Sequence, residues 1–216
     1  MDTTILISSI ILFLPLLAFV IQINVGRFLR RQGDFIPPTA IGLALLLSLW
    51  LFAGMMGWTG AHEAVGEHTF GLKPVMQEWQ WIYAGGGSGS LDIRFGIYVD
   101  NLTVIMLVVV TLVSFLVHVY SIGYMHGEGR YNRFFAYLSL FTFSMLGLIL
   151  SSSLIFIYIF WELVGVCSYL LIGFYIHKDS AAAASKKAFI VNRVGDLGFL
   201  IGILITVVVA GSTSIP

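Results

Sequence analysis

Six long apolar stretches alternate with polar segments along the chain, and this pattern predicts six membrane-spanning helices. They cover approximately residues 5–25, 39–58, 101–124, 134–150, 153–177 and 181–210. At a rise of about 1.5 Å per residue, these lengths suit a hydrocarbon core about 30 Å thick. A membrane β-barrel would instead show segments of about ten residues with alternating polarity. The pattern therefore predicts an all-α polytopic membrane protein.

The polar stretch between the second and third spans predicts an external loop that contains a short β-hairpin. Residues 77–83 and 91–98 alternate in polarity, are rich in aromatic side chains and flank the glycine-rich run 85–90. We divide the chain into spans one and two (1–58), the loop with the hairpin (59–99), and spans three to six (100–216). Asp100 is placed to cap the third helix.

Composition supports the membrane assignment, because 58% of the residues are hydrophobic, 10% are charged and the mean hydropathy is +0.96. Soluble proteins carry about 25% charged residues. The formal net charge of +0 gives no basis for a nucleic-acid partner. The lipid bilayer is therefore the expected environment.

The basic residues predict the orientation of the spans. Of the eleven Lys and Arg residues, eight lie in the loops between spans one and two, three and four, and five and six. These eight are Arg27, Arg30, Arg31, Arg130, Arg133, Lys178, Lys186 and Lys187. The positive-inside rule places these loops in the cytoplasm or its equivalent, with the hairpin and both termini on the other side.

The sequence predicts no cofactor or metal site in this chain. Its single cysteine, Cys167, cannot supply an iron–sulfur ligand set, and we find no Walker or dinucleotide-binding motif. His62 and His68, with Glu63 and Glu67 between them, were weighed as a metal site. They lack the i, i+4 pair of a helical site, so a solvated loop is the favoured interpretation.

Glu162 is the candidate proton carrier, because it stands alone in the apolar fifth span. If the span begins near Ser153, Glu162 lies about 13 Å into the hydrocarbon. An ionised acid at this depth costs about 2.5 to 3.5 kcal/mol and usually faces a bundle interior or a hydrated path. Burial favours its protonated form and a nearby cation its ionised form, so a moving cation would load and unload it. The alternative is a hydrogen-bonded packing residue.

The sixth span contains a second polar group, since Arg193 and Asp196 are three residues apart and share one helix face. We predict that they form an ion pair. The pair is interpreted either as a structural lock or as a switch that opens and changes the field at another acid. Lys187, which lies about 9 Å before Arg193, is expected to snorkel to the interface. His118, late in span three, is interpreted as a packing residue in preference to a proton relay.

Three runs of these residues resemble the distal antiporter-like subunit of respiratory complex I, called NuoL in bacteria and NdhF in the photosynthetic complex. They are residues 137–147, the run FWELVGVCSYLLIGF at 160–174 and the run KAFIVNRVGD at 187–196. The resemblance implies the N-terminal part of an antiporter-like fold in the membrane arm of NADH (or ferredoxin):quinone oxidoreductase. It also implies that Glu162 carries protons and that Arg193 and Asp196 form a switch.

By the same resemblance, quinone, FMN and iron–sulfur clusters belong to partner subunits. A neighbouring antiporter-like subunit is the expected contact of this chain. The expected location is a bacterial cytoplasmic membrane or an equivalent energy-transducing membrane. Family members are much longer, so we expect the chain to be a portion of a longer protein or a split gene product. Two other functions stay open. One is the large subunit of a multisubunit cation/proton antiporter, and the other is a structural membrane-arm scaffold in which Glu162 packs.

Overall fold

The computed structural model describes residues 2–29, 33–58, 71–84 and 91–210, and within them it contains six long helices and one two-stranded sheet. The helices are α1 (Thr3–Asn24), α2 (Ile36–Met55), α3 (Asn101–Tyr124), α4 (Tyr131–Leu150), α5 (Leu154–Ile172) and α6 (Asp179–Ala210). The strands are β1 (Val75–Ala84) and β2 (Leu91–Val99). All six helices are long and apolar enough to cross a membrane, so the predicted fold is confirmed.

Local chemistry explains most of the helix boundaries. Asp100 caps α3 as predicted, because its Oδ1 accepts a hydrogen bond from the Thr103 N–H at 2.8 Å. Helix α2 begins three residues earlier than the apolar pattern indicated. Pro37 and Pro38 lie in its first turn, where a missing N–H costs no intrahelical hydrogen bond. The predicted loop residues His62, Glu63, Glu67 and His68, together with the glycine-rich run, lie outside the described residues.

The first four helices form the packed part of the molecule. Helix α1 packs against α2 and α4, α2 packs against α3, and large apolar side chains of all four are buried between them, including Ile11, Leu51, Leu107 and Leu146. Helix α5 packs on α4, and α6 packs on α5. In the apolar windows of α1 and α4, 44% of the residues are buried, against 11% in α5 and α6. The last two helices therefore form an open side of the bundle.

The hairpin is attached to the start of α5. Its strands are antiparallel, with Val75 opposite Val99 and a register shift between Gln80 and Ile82. The Ser152 N–H in the turn between α4 and α5 donates to the Gly96 carbonyl at 3.2 Å. A Cβ at Gly96 would lie 2.8 Å from the Gln77 carbonyl oxygen, so only glycine permits this close approach. The hairpin thus holds one end of α5 against the bundle.

The opposite end of the molecule is formed by the α1–α2, α3–α4 and α5–α6 connections. The Tyr131 hydroxyl donates to Asp34 Oδ2 at 3.2 Å, and the Tyr175 hydroxyl donates to Glu128 Oε1 at 3.1 Å. The Arg130 guanidinium donates to the Phe174 carbonyl oxygen. These contacts bring the described parts of the three connections together at one end, away from the hairpin.

We predict that Gly147→Ala weakens the packing of α4 against α5. A Cβ at Gly147 would overlap the Phe160 ring, which is almost fully buried. Overpacking of this kind typically costs about 1 to 3 kcal/mol, so we expect a lower thermal unfolding midpoint of the purified membrane complex. Gly165→Ala is the matched control, because a Cβ there meets nothing within 4 Å. Equal midpoints for the two variants would contradict the assigned close contact.

Candidate functional site

The interface between α5 and α6 brings together four polar or charged side chains, namely Trp161, Glu162, Arg193 and Asp196. Glu162 lies eight residues after the start of α5, which is a depth of about 12 Å along the helix. Arg193 lies near the middle of α6. The cluster is therefore distant from both ends of the two spans, where water is the usual partner of a charge.

Arg193 lies between two carboxylates on different helices. Its Nη1 makes an ion pair with Glu162 Oε2 across the α5–α6 interface, and it lies 3.8 Å from Asp196 Oδ2 on its own helix. The Glu162 contact is the tighter of the two. The Arg193 side chain is 43% exposed, against 19% for Glu162 and 8% for Asp196. The Arg193 side chain is thus the least buried of the three.

The two oxygens of the Glu162 carboxylate differ in their surroundings. Oε2 faces the Arg193 guanidinium, whereas Oε1 is buried and has no hydrogen-bond partner among the described residues. A buried acceptor without a partner costs about 1 to 3 kcal/mol or more when it is charged. A proton or a water molecule on Oε1 would remove this cost.

Asp196 is held by a second partner that the sequence analysis did not identify. The Trp161 indole N–H donates to Asp196 Oδ1 at 2.7 Å, while Oδ2 is the oxygen nearest Arg193. This hydrogen bond comes from α5, so both carboxylates of the cluster bind across the helix interface. Asp196 therefore has a stable position from which it can receive the guanidinium.

Aromatic rings close the cluster at both ends. Toward the hairpin, the Phe199 ring lies 5.8 Å from Tyr158 and 6.2 Å from Trp161. Toward the basic loops, Phe189 lies 5.5 Å from Tyr169 and 4.7 Å from the Arg193 guanidinium carbon, which is a cation–π contact. These rings fix the register of α5 against α6. They also shield the charges, which strengthens the interactions between them.

This arrangement allows one cation to be shared by two acids. When the guanidinium pairs with Glu162, the ionised form of that carboxylate is favoured. When the guanidinium moves toward Asp196, Glu162 becomes an uncompensated buried acid and the protonated form is favoured. The site thus contains the elements needed to couple a side-chain movement to proton uptake and release.

The predicted ion pair between Arg193 and Asp196 is present on one face of α6, at 3.8 Å, and Arg193 also pairs with Glu162 of α5. This second partner was not predicted, because the spacing rule compares residues on one helix and does not place the neighbouring helix. Tyr158 and Tyr169 of α5 contact α6, whereas Gly165 has open space beside it.

His118 and Lys187 lie apart from the four-residue cluster. His118 is fully buried on α3, where its Nδ1 donates to the Ser114 carbonyl oxygen at 2.7 Å and its ring lies 6.1 Å from Phe135 of α4. Its Nε2 is buried without a hydrogen-bond partner among the described residues. Lys187 is exposed on α6, nearer to the basic loops than Arg193.

Within the described ranges no group of three or more His, Cys, Asp or Glu residues could hold a metal ion.

Two family models match the chain. Residues 81–135 match the model described as NADH-ubiquinone oxidoreductase (complex I), chain 5 N-terminus. Residues 151–216 match the model described as NADH:quinone oxidoreductase/Mrp antiporter, TM, and this range includes all four residues of the cluster.

Curated relatives and solved structures agree with these models. NAD(P)H-quinone oxidoreductase subunit 5 of the Anthoceros angustus chloroplast is 47% identical over 199 residues, which cover 92% of this chain and 24% of the relative. The Nephroselmis olivacea protein of the same name is 49% identical over 85% of the chain and 26% of the relative. The chain thus spans about a quarter of the length of these relatives.

Two membrane complexes share the fold at low sequence identity. The archaeal membrane-bound sulfane sulfur reductase matches 96% of this chain and 38% of its own with a TM-score of 0.73 and 20% identity. The Mrp complex from Dietzia sp. DQ12-45-1b matches 96% of this chain and 20% of its own with a TM-score of 0.72 and 18% identity. The fold therefore defines an antiporter-like, multi-span membrane protein. Together with the family models, the curated relatives show that the chain belongs to the complex I chain 5 family.

Proposed function

We propose that this chain is part of a proton-translocating membrane subunit of an NADH, NAD(P)H or ferredoxin:quinone oxidoreductase of the complex I type. The observation that carries the proposal is the triad of Glu162, Arg193 and Asp196, in which one guanidinium lies between two acids in the middle of apolar helices. Family membership supports the oxidoreductase, since the relatives carry that name.

In this proposal Glu162 is the proton carrier, and Arg193 moves between Glu162 and Asp196 to switch it. The buried Oε1 accepts the proton when the guanidinium moves away, and the returning guanidinium expels it. Asp196 holds the second position of the cation, with the Trp161 hydrogen bond fixing that carboxylate. A movement in a neighbouring antiporter-like subunit that pulls on α6 would drive the exchange.

Electron transfer takes place in partner subunits in this proposal. Quinone, FMN and iron–sulfur clusters are assigned to those subunits, and this chain contributes the coupled proton step. The relatives named above are chloroplast proteins, and another, from Paulinella chromatophora, is a chromatophore protein. We therefore propose an energy-transducing membrane, such as a photosynthetic membrane or a bacterial cytoplasmic membrane.

A cation/proton antiporter subunit is the second candidate function. It is favoured by the description of the second family model, which covers Mrp antiporters as well as quinone oxidoreductases, and by the fold of the Mrp complex. The same triad would serve either function, because both require a proton to bind and leave a membrane-embedded acid.

The two functions predict different cofactors and different partner subunits in the purified complex. For the oxidoreductase, we expect the complex isolated through an affinity tag on the full-length subunit to show flavin and iron–sulfur absorbance and to reduce quinone. An antiporter complex would contain small membrane proteins and lack these cofactors. A preparation of homogeneous, fully assembled complex without flavin or iron would contradict the oxidoreductase proposal. A tagged subunit outside the antiporter family, purified from the same membranes, controls for contaminating flavoproteins.

A further inference from the structure

We propose that a pocket at the basic end of α4, α5 and α6 binds the phosphate of an anionic phospholipid headgroup. The pocket has a volume of about 190 Å³. Its polar lining includes Arg130, Arg133, Tyr137, Tyr169 and Ser185, and we call it the headgroup pocket. It is a separate feature from the proton-transfer triad and goes beyond the proposed function.

The basic residues of the headgroup pocket favour an anionic ligand. Its lining includes the basic residues Arg130 and Arg133 and, among the described residues, no Asp or Glu. Arg130 is held in place, because it donates to the Phe174 carbonyl oxygen and its guanidinium carbon lies 5.2 Å from the Phe174 ring centre. Arg133 is exposed. Guanidinium groups bind phosphate oxygens through paired, charge-assisted hydrogen bonds.

The location of the headgroup pocket favours a phospholipid as the anionic ligand. It is formed by the first turns of α4, the last turn of α5 and the first two turns of α6, so it lies where these spans meet the membrane surface. Apolar side chains, including Leu170 and Ile176, complete the lining next to the two arginines. Basic pockets between transmembrane helices at the cytoplasmic or equivalent surface are suited to anionic headgroups.

The same charges argue against the headgroup pocket as a proton entry. Tyr169, in its lining, lies seven residues after Glu162, which is about 10 Å along α5. The Phe189 ring lies next to Tyr169 and covers Arg193, so an aromatic side chain separates the pocket from the triad. Two guanidinium groups would also repel a hydrated proton.

The test uses the complete membrane complex reconstituted into nanodiscs of phosphatidylcholine doped with phosphatidylglycerol that carries a photoreactive group on its headgroup. We expect crosslinks to map to peptides that contain residues 130–137 and 169–176. Arg133→Gln should lower this labelling about fivefold, the effect of one basic residue at a membrane surface. Arg133→Lys, which keeps the charge but loses the paired hydrogen bonds, should lower the labelling less than Arg133→Gln does. Lys186→Gln, which removes a charge from the same end of α6 outside the pocket lining, should leave it unchanged.

Three results would overturn the proposal. The first is equal labelling of these peptides by a phosphatidylcholine probe with the same photoreactive group. The second is unchanged labelling in Arg133→Gln. The third is complete displacement of the phosphatidylglycerol probe by inorganic phosphate, which would identify a soluble anion as the occupant. None of these readouts depends on proton pumping, so failure here and failure of the proposed proton transfer are distinguishable.

Discussion

Glu162→Gln is expected to leave the membrane complex assembled and to lower its proton translocation by about a hundredfold or more, the usual range for removal of a proton-transferring group. The amide keeps the size of the side chain and can still accept a hydrogen bond from Arg193, but it cannot take up and release a proton at neutral pH. Proton pumping is measured in proteoliposomes with a pH-sensitive dye, and quinone reduction is followed in the same preparation.

Assembly should survive this change because Arg193 retains a counter-ion. Removing one partner of a fully buried ion pair costs about 3 to 5 kcal/mol when the other charge is left alone. Here Asp196 Oδ2 is already 3.8 Å from the guanidinium. The guanidinium can therefore pair with Asp196, and the cost to the α5–α6 interface is smaller.

Glu78→Gln is the matched control, since it makes the same chemical change in the hairpin, where Glu78 pairs with Arg94 at 3.6 Å. An ion pair of this kind, with one exposed partner, contributes at most about 1 kcal/mol, so pumping should be normal. Full pumping by Glu162→Gln would end its assignment as proton carrier. Loss of the assembled complex, with normal pumping in the surviving fraction, would favour the scaffold function.

The spans and the α3 cap could be predicted from the sequence because they depend on local patterns. An apolar run of membrane length is recognisable without knowledge of its neighbours, and Asp100 lies directly before such a run. The hairpin was predictable for the same reason, from alternating residues around a glycine-rich turn. Its attachment to the α4–α5 turn through Gly96 was not, because a glycine required for close approach looks the same in sequence as one in a flexible strand.

The ion pair between Arg193 and Glu162 could not be predicted because it depends on the register between two helices. Helical spacing identified only Asp196, three residues away on the same helix. The register itself is set by aromatic contacts such as Tyr158 with Phe199, which have no signature in a single sequence. The Trp161–Asp196 hydrogen bond was missed for the same reason.

Asp196→Asn is expected to lower pumping about tenfold while assembly falls much less. The asparagine side-chain oxygen can still accept the Trp161 N–H, so the contact between α5 and α6 persists. The negative charge that receives Arg193 is lost, and the guanidinium then remains on Glu162 and keeps that carboxylate ionised. A tenfold loss corresponds to a bias of about 1.4 kcal/mol in the position of the guanidinium. Pumping and the yield of intact complex are measured on the same membranes.

Trp161→Phe separates the two roles of Asp196, because it removes the hydrogen bond and leaves both carboxylates and the guanidinium in place. If Asp196 is a switch, Trp161→Phe should retain most of the pumping that Asp196→Asn loses, since the cation still has two positions. If Asp196 is a lock, Trp161→Phe should lower the yield of complex much more than Asp196→Asn does, and turnover should be normal in the complex that remains. The switch requires charge at residue 196, whereas the lock requires the bond between the helices, and these two substitutions remove one requirement at a time.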